Sequence, residues 1–323
     1  MNITKRNHYN PCFWIALWNP DYYHLVSAGI KQTSPPRKQV IHALSVKSGT
    51  TFKTTVESIH YDKNLGIAEI TSDAAEAFVR RHHPNLHEQF VRNNANAQYP
   101  VFIDFEEFLT ATEKLPPYQT LLKVALTEQI GSAEDKANLG SFVILQHLRS
   151  HSIMNAMIDW HHELGHSKFE HFITLKWMLS DTIALFNLVN PIVCCQWTLY
   201  TAHNETLPLC DSPILINSQS IMVALSPTLL LEIQPPLKSD ENQLPIRRQI
   251  TTEKYEEFRC RTINNTFREI IGDRNILKQW QISPEFRTRS ALMRDVDNYN
   301  KMIFTDGERE LWHLNAYGNT YQL

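Results

Sequence analysis

Apolar residues follow one rhythm in the middle of the chain and another on either side. After Pro116 and Pro117, Leu121, Leu122, Ala125, Leu126 and Ile130 recur at three- and four-residue intervals, which predicts a helix over 118–130. Gly131-Ser132 interrupts that rhythm, and Ser132 followed by Glu134 and Asp135 offers an N-cap with an acidic first turn. Leu139, Phe142, Val143, Leu145, Leu148, Ile153, Met154, Met157 and Ile158 then predict a helix over about 135–160. Phe169, Phe172, Ile173, Leu175, Met178, Ile183 and Phe186 predict a third over about 167–187.

On either side the runs are shorter and richer in β-branched residues. Residues 40–46 and 52–61, joined by Lys47-Ser48-Gly49, read as a hairpin, and residues 1–70 as strands and irregular segments. Ser72-Asp73 opens a helix over 74–81. From Pro191 the pattern changes to strand-like runs at 192–200, 214–216, 221–225 and 229–233, then a loop over 234–248 and a helix over 251–281. Phe304-Thr305-Asp306-Gly307 is a hairpin-type turn in the tail. The expected class is α+β: N-terminal strands, a central helical bundle-like core, a second small β region, and a C-terminal helix with a hairpin-like tail. One domain over 1–283 carries an extension over 284–323.

Composition removes whole classes of function. Among 323 residues there are nine glycines, and the closest two, Gly131 and Gly140, are nine positions apart. The dinucleotide fingerprint, the phosphate loop and the nucleophile elbow each need closer glycines, so none is present. Net charge is −3, which leaves no global footprint for nucleic-acid binding. No apolar run approaches the ~20 residues of a membrane helix, and the first residues lack the apolar stretch of a signal peptide. Five cysteines without a CxxC pair exclude a zinc ribbon and point to free thiols in a reducing cytoplasm.

The sharpest single motif is His162-Glu163-Leu164-Gly165-His166, an HExxH string. On a helix its histidines share one face and can bind zinc, with Glu163 as general base toward a metal-bound water. The flanks supply no evident third ligand. Phe169 and Phe172 occupy the positions of the extended motif, His171 is one residue out of register, and Glu170 or Asp181 would have to substitute. Gly165 also suits the end of a helix.

A second constellation is dispersed. It comprises Asn7-His8-Tyr9-Asn10-Pro11-Cys12-Phe13-Trp14, Glu113, Gln146 and Arg149 three apart on one helix face, Cys210-Asp211-Ser212-Pro213, Ala224-Leu225-Ser226-Pro227 and Ile263-Asn264-Asn265. In order and spacing these segments resemble the domain of unknown function 4238 family over about residues 6–280. Cys210 replaces a usual Ser and Ala224 a usual Pro, and His151 falls near another Pro. The resemblance implies one α+β architecture and carries no established activity.

The matched polar residues suit a dispersed catalytic site: His8 and Tyr9 for proton transfer, Arg149 for a carboxylate or phosphate, Asp211 as a base, with Glu113, Gln146 and Asn264 beside them. If they converge in one cleft, they point to a hydrolase or transferase on a phosphate-bearing or nucleic-acid substrate. They equally suit stitching: Asp-Ser-Pro is good turn chemistry, and a Gln/Arg pair can hold buried carbonyls or pin Glu113. Two other readings stand beside the dispersed enzyme. One is a zinc hydrolase through 162–166; the other is a non-catalytic protein that meets a partner through its aromatic tail.

Overall fold

The computed structural model describes residues 7–30, 32, 34–62, 67–94, 97–104, 111–150, 153–154, 170, 172, 176, 182–203, 206–235 and 245–294. The HELGH string and the tail hairpin lie outside these residues. In chain order the N-terminal elements are β1 (Asn7–His8), α1 (Cys12–Ile15), α2 (Pro20–Ser27), β2 (Val40–Ser45), β3 (Thr51–Thr55), β4 (Tyr61–Asp62) and β5 (Ile67–Ile70). Then come α3 (Ser72–His82), α4 (His87–Asn94), β6 (Val101–Asp104), α5 (Pro116–Thr127), α6 (Ala133–Arg149) and α7 (Thr182–Val193). The last third holds β7 (Gln196–Thr201), β8 (Leu209–Cys210), β9 (Leu215–Ile216), β10 (Ile221–Ser226), β11 (Leu229–Gln234), β12 (Ile246–Gln249), α8 (Thr252–Asn265), β13 (Glu269–Gly272), α9 (Arg274–Gln281) and α10 (Pro284–Arg294). The class is α+β, as the periodicities imply.

Two sheets dominate. A five-stranded sheet runs β12-β7-β11-β10-β9, and a four-stranded antiparallel sheet runs β3-β2-β13-β8. In the larger sheet, among the described residues, only the β12–β7 pairing is parallel. The helix α5 packs on α6 and on β10, and α6 packs on α7. The α6–α7 approach is close at Gly140, where an added Cβ would stand 3.1 Å from Val193 and 3.3 Å from Val189.

The N-terminal stretch is less strand-like than expected. Pro11 precedes a turn of helix, and Trp14, Ile15, Ala16, Leu17 and Trp18 are all buried in the core. Indole N–H groups fix them: Trp14 donates to the Leu225 carbonyl at 3.0 Å and Trp18 to the Leu207 carbonyl at 2.7 Å. Asn19 then caps α2 by accepting from the Tyr22 N–H, with Pro20 at the first helical position.

Other boundaries moved for local reasons. The α6 helix starts where Ser132 accepts from the Asp135 N–H, but it ends at Arg149, short of 160, because Ser150 turns extended and its hydroxyl bonds the His147 carbonyl. The α7 helix continues through Pro191 to Val193, past the expected change of pattern. The 251–281 region is two helices with strand β13 between them, its Ile270 and Ile271 buried at the centre of the smaller sheet. The loop expected over 234–248 gives way to β12 at Ile246. The segment after 283 opens with α10, whose Phe286 and Met293 join the core.

A side-chain cap restarts the chain after β13. Asp273 accepts from the N–H groups of Asn275 and Ile276, at 2.8 and 3.2 Å. Asp273→Ala is therefore expected to cost about 1 kcal/mol, read as a lower urea midpoint with an unchanged slope. An unaltered midpoint would show that α9 does not depend on this cap.

Candidate functional site

Strand β1 is short and is held from three directions. It pairs with β4 (His8 opposite Tyr61), and the Tyr9 N–H donates to the His60 carbonyl at 2.8 Å. Helix α6 brings Gln146 and Arg149 to its other side, since residues three apart share a helix face. The Gln146 amide nitrogen donates to the Tyr9 carbonyl at 2.9 Å and to Asn10 Oδ1 at 2.8 Å. Arg149 Nε donates to the His8 carbonyl at 2.9 Å, and Nη1 pairs with Glu113 Oε1 at 2.6 Å. The Arg149 side chain is 1% exposed and that of Glu113 20%, so the carboxylate is the solvent-side partner of a buried guanidinium.

Asn10 extends this network to the four-stranded sheet. Its amide nitrogen donates to the Cys210 carbonyl and to His60 Nδ1, each at 2.9 Å. The other ring nitrogen of His60, Nε2, donates to the Glu269 carbonyl at 3.1 Å. Because main-chain carbonyls terminate the chain of bonds at Tyr9, Cys210 and Glu269, its sense is fixed: His60 is neutral, with its proton on Nε2. Burial lowers the His60 pKa to about 3, and the charges of Arg268 and His8 push in the same direction. The residue stands in the left-handed region at φ 52°, a conformation that costs a non-glycine residue about 1 kcal/mol or more.

Asp211 follows directly on this network. Its Oδ1 accepts from the Phe267 N–H at 3.1 Å and its Oδ2 from the Arg268 N–H at 2.6 Å. The residue is fully buried. Both carboxylate oxygens thus hold the turn that leads into β13, and a base that must reach a substrate proton is not what this geometry provides. Asn265 completes the turn, donating to the carbonyls of Ser212 and Ile214 at 2.9 and 3.3 Å.

Of the seven residues that the sequence proposes for a dispersed site, His8, Tyr9, Glu113, Gln146 and Arg149 meet around β1. Asp211 is joined to them through Asn10 and the Cys210 carbonyl. Asn264 is exposed on α8 and stays outside; its neighbour Asn265 faces the Asp211 turn. Helix phase was the available signal, because Tyr255, Phe258, Thr262 and Asn265 fall on one face while 264 does not. Asn10 lies inside the His8-Tyr9 segment, yet nothing in its type or spacing marks it as the junction. His60 carried no signal, since its role depends on partners distant in sequence.

Cys210 is inert in this setting: burial, then the Asp211 charge, pushes its thiol far up, and Sγ contacts the Ser212 carbonyl at 3.1 Å. Among the described residues no group of three or more His, Cys, Asp or Glu side chains is arranged to hold a metal ion, and His162, Glu163 and His166 lie outside them. No helix among the described residues is long and apolar enough to cross a membrane. All five cysteines are free thiols. Comparison with protein-family models, with curated proteins and with solved structures finds no match to this chain.

Proposed function

We propose that the chain is a hydrolase or transferase acting on a phosphate-bearing substrate, with its chemistry at the β1 network. His8 transfers the proton, Arg149 with Glu113 orients the anionic group, and Tyr9 donates a hydrogen bond. Gln146, Asn10, Asp211 and Asn265 are the frame that holds these groups in place. The supporting observation is convergence. Arg149 pairs with Glu113, and Gln146 and Arg149 bind the main-chain carbonyls of Tyr9 and His8, up to 141 residues away, which brings the stretch that carries the imidazole and the phenol against the guanidinium–carboxylate pair. Side chains on strand and helix, backed by a second layer of hydrogen bonds, are what precise positioning requires. The free thiols fit the reducing cytoplasm as the place of action.

The competing reading is a non-catalytic protein in which the same residues serve as stitching. It is favoured by the number of contacts from Gln146, Arg149 and Asp211 that end on main-chain groups. One experiment separates the two. The purified chain is assayed for phosphate release or transfer with p-nitrophenyl phosphate, bis(p-nitrophenyl) phosphate, ATP and short RNA, beside His8→Gln. The enzyme reading expects turnover that falls about a hundredfold or more in the variant while its Tm stays within a few degrees. No turnover on any of the four, or loss of turnover only in step with Tm, would leave the stitching reading in possession.

A further inference from the structure

Basic side chains gather where α9 crosses the four-stranded sheet. Lys53 of β3, His42 of β2 and Gly272 of β13 stand in register across that sheet, so they share one of its faces. This is the face α9 covers, since a Cβ on Gly272 would stand 3.4 Å from Leu277 Cδ2. Helix α9 opens with Arg274, two residues after Gly272. It ends with Gln281, whose amide donates to the Gly49 carbonyl at 2.8 Å in the β2–β3 turn. Arg274, Lys278 and Gln281 follow at helical spacing and lie on one side of α9. Lys47 belongs to the same turn, and Arg294 of α10 reaches it by donating from Nε to the Lys47 carbonyl at 3.2 Å.

Lys47, Lys53, Arg274, Lys278 and Arg294 are all exposed, and none pairs with a carboxylate among the described residues. Asp273 is engaged as the cap of α9. Elsewhere Arg80, Arg92, Lys123, Arg247, Arg259 and Arg261 each have an acidic partner. In a chain of net charge −3, unpaired cations are thus segregated to one face. The turn also holds a buried polar group without a partner: Ser290 is 4% exposed and its Oγ makes no hydrogen bond. That Oγ and Arg294 Nη2 face the bare side of Gly49, at 3.5 and 3.2 Å from where a Cβ would stand. An unpaired buried hydroxyl carries a desolvation cost that a bound acceptor recovers. Arg294 is exposed and held by a single bond, so its tip can turn outward with an anion and uncover the hydroxyl.

We propose that this face binds the phosphate backbone of a nucleic-acid strand. One phosphate sits at the Gly49 turn between Lys47, Arg294 and Ser290, and others follow along Lys278, Arg274 and Lys53. From residue 274 to 281 α9 rises about 10 Å, which exceeds a single anion and suits successive phosphates of one strand. The large apolar residues of α9, Leu277 and Trp280, are buried in the core. The helix therefore offers neither the apolar centre of a protein interface nor the apolar face with which a helix enters a membrane surface. Contacts of this kind hold phosphates and do not read bases, so binding is independent of sequence. None of these residues belongs to the β1 network, and the face stands whether or not that network is catalytic.

The test titrates the full chain into a fluorescently labelled oligouridylate of about twelve nucleotides, with anisotropy read over a series of salt concentrations. Affinity is expected to fall with salt at a log–log slope of about −3, from four or five phosphates at about −0.7 each. Lys278→Gln should flatten the slope by about 0.7. Ser290→Ala should weaken binding severalfold while Tm holds or rises, because an unpaired hydroxyl gives nothing to the fold. Arg248→Gln, exposed on β12 in the other sheet, should change nothing. No binding at low salt, a slope near zero, an affinity unaltered in Lys278→Gln or Ser290→Ala, or an equal loss in Arg248→Gln would overturn the proposal. So would displacement of the strand by inorganic phosphate at matched phosphate concentration, the mark of a single-anion site, or uptake onto phosphatidylserine vesicles in preference to the strand.

Discussion

Replacing Asp211 by alanine is expected to lower Tm by of the order of 10 °C, a far larger effect than loss of the Asp273 cap. Two buried main-chain N–H groups, those of Phe267 and Arg268, would lose their carboxylate acceptor. Hydrogen bonds to a charged group contribute about 1.5–3 kcal/mol each, and a buried donor left unpaired carries its full desolvation cost. About 3–6 kcal/mol is therefore at stake, and at roughly 2 °C per kcal/mol for a chain of this length the shift is large. Asp211→Asn should fall between, since one amide oxygen still accepts while its NH₂ faces a donor. Differential scanning calorimetry of both variants checks the order. If Asp211→Asn kept its Tm and lost only turnover, the carboxylate would be a catalytic base and its structural role refuted.

Acid should unfold the protein through His60. The imidazole is neutral in the fold, with a pKa near 3 set first by burial, against an ordinary value of about 6.5. The unfolded chain therefore binds the proton more readily than the folded one. The stabilising contribution is complete above about pH 6.5 and is lost as pH falls toward 3, at about 1.4 kcal/mol per pH unit and about 5 kcal/mol in full. The geometry gives the reason. A proton on Nδ1 would face the Asn10 amide nitrogen, and turning that amide over would oppose like groups at Cys210 and Gln146. Urea unfolding of the native chain and of His60→Asn between pH 7 and 4.5 measures this, asparagine being tolerated at positive φ. The variant should be less stable at pH 7 and lose less on acidification. Equal slopes for the two proteins would rule out His60 as the titrating group.

The sequence made some of this readable and hid the rest for physical reasons. The α5–α6 pair was visible because three- and four-residue spacing and the Ser132 cap are local signals. Gln146 and Arg149 were visible as partners because a helix puts i and i+3 on one face. Strand β13 was hidden: four residues between two helices look like continued helix, and only its pairing with β2 and β8, together with the Asp211 grip on the preceding turn, makes it a strand. The same holds for Asn10 and His60, whose bonds span 50 to 209 residues. Residue type alone could not say whether Asp211 was a base or a brace. Both readings need a carboxylate at a turn, and the two N–H groups facing it decide for the brace.

The indole bonds of Trp14 and Trp18 also bear on how the chain is made. Their acceptors, the carbonyls of Leu225 and Leu207, lie 211 and 189 residues downstream. At ribosomal speeds of about 5–20 residues per second, the first buried segment waits roughly 10–40 s for the strands that cover it. Throughout that interval Trp14, Ile15, Leu17 and Trp18 emerge as an uncovered apolar cluster, the kind of surface that holding chaperones take up. These indoles are made long before the carbonyls that hold them.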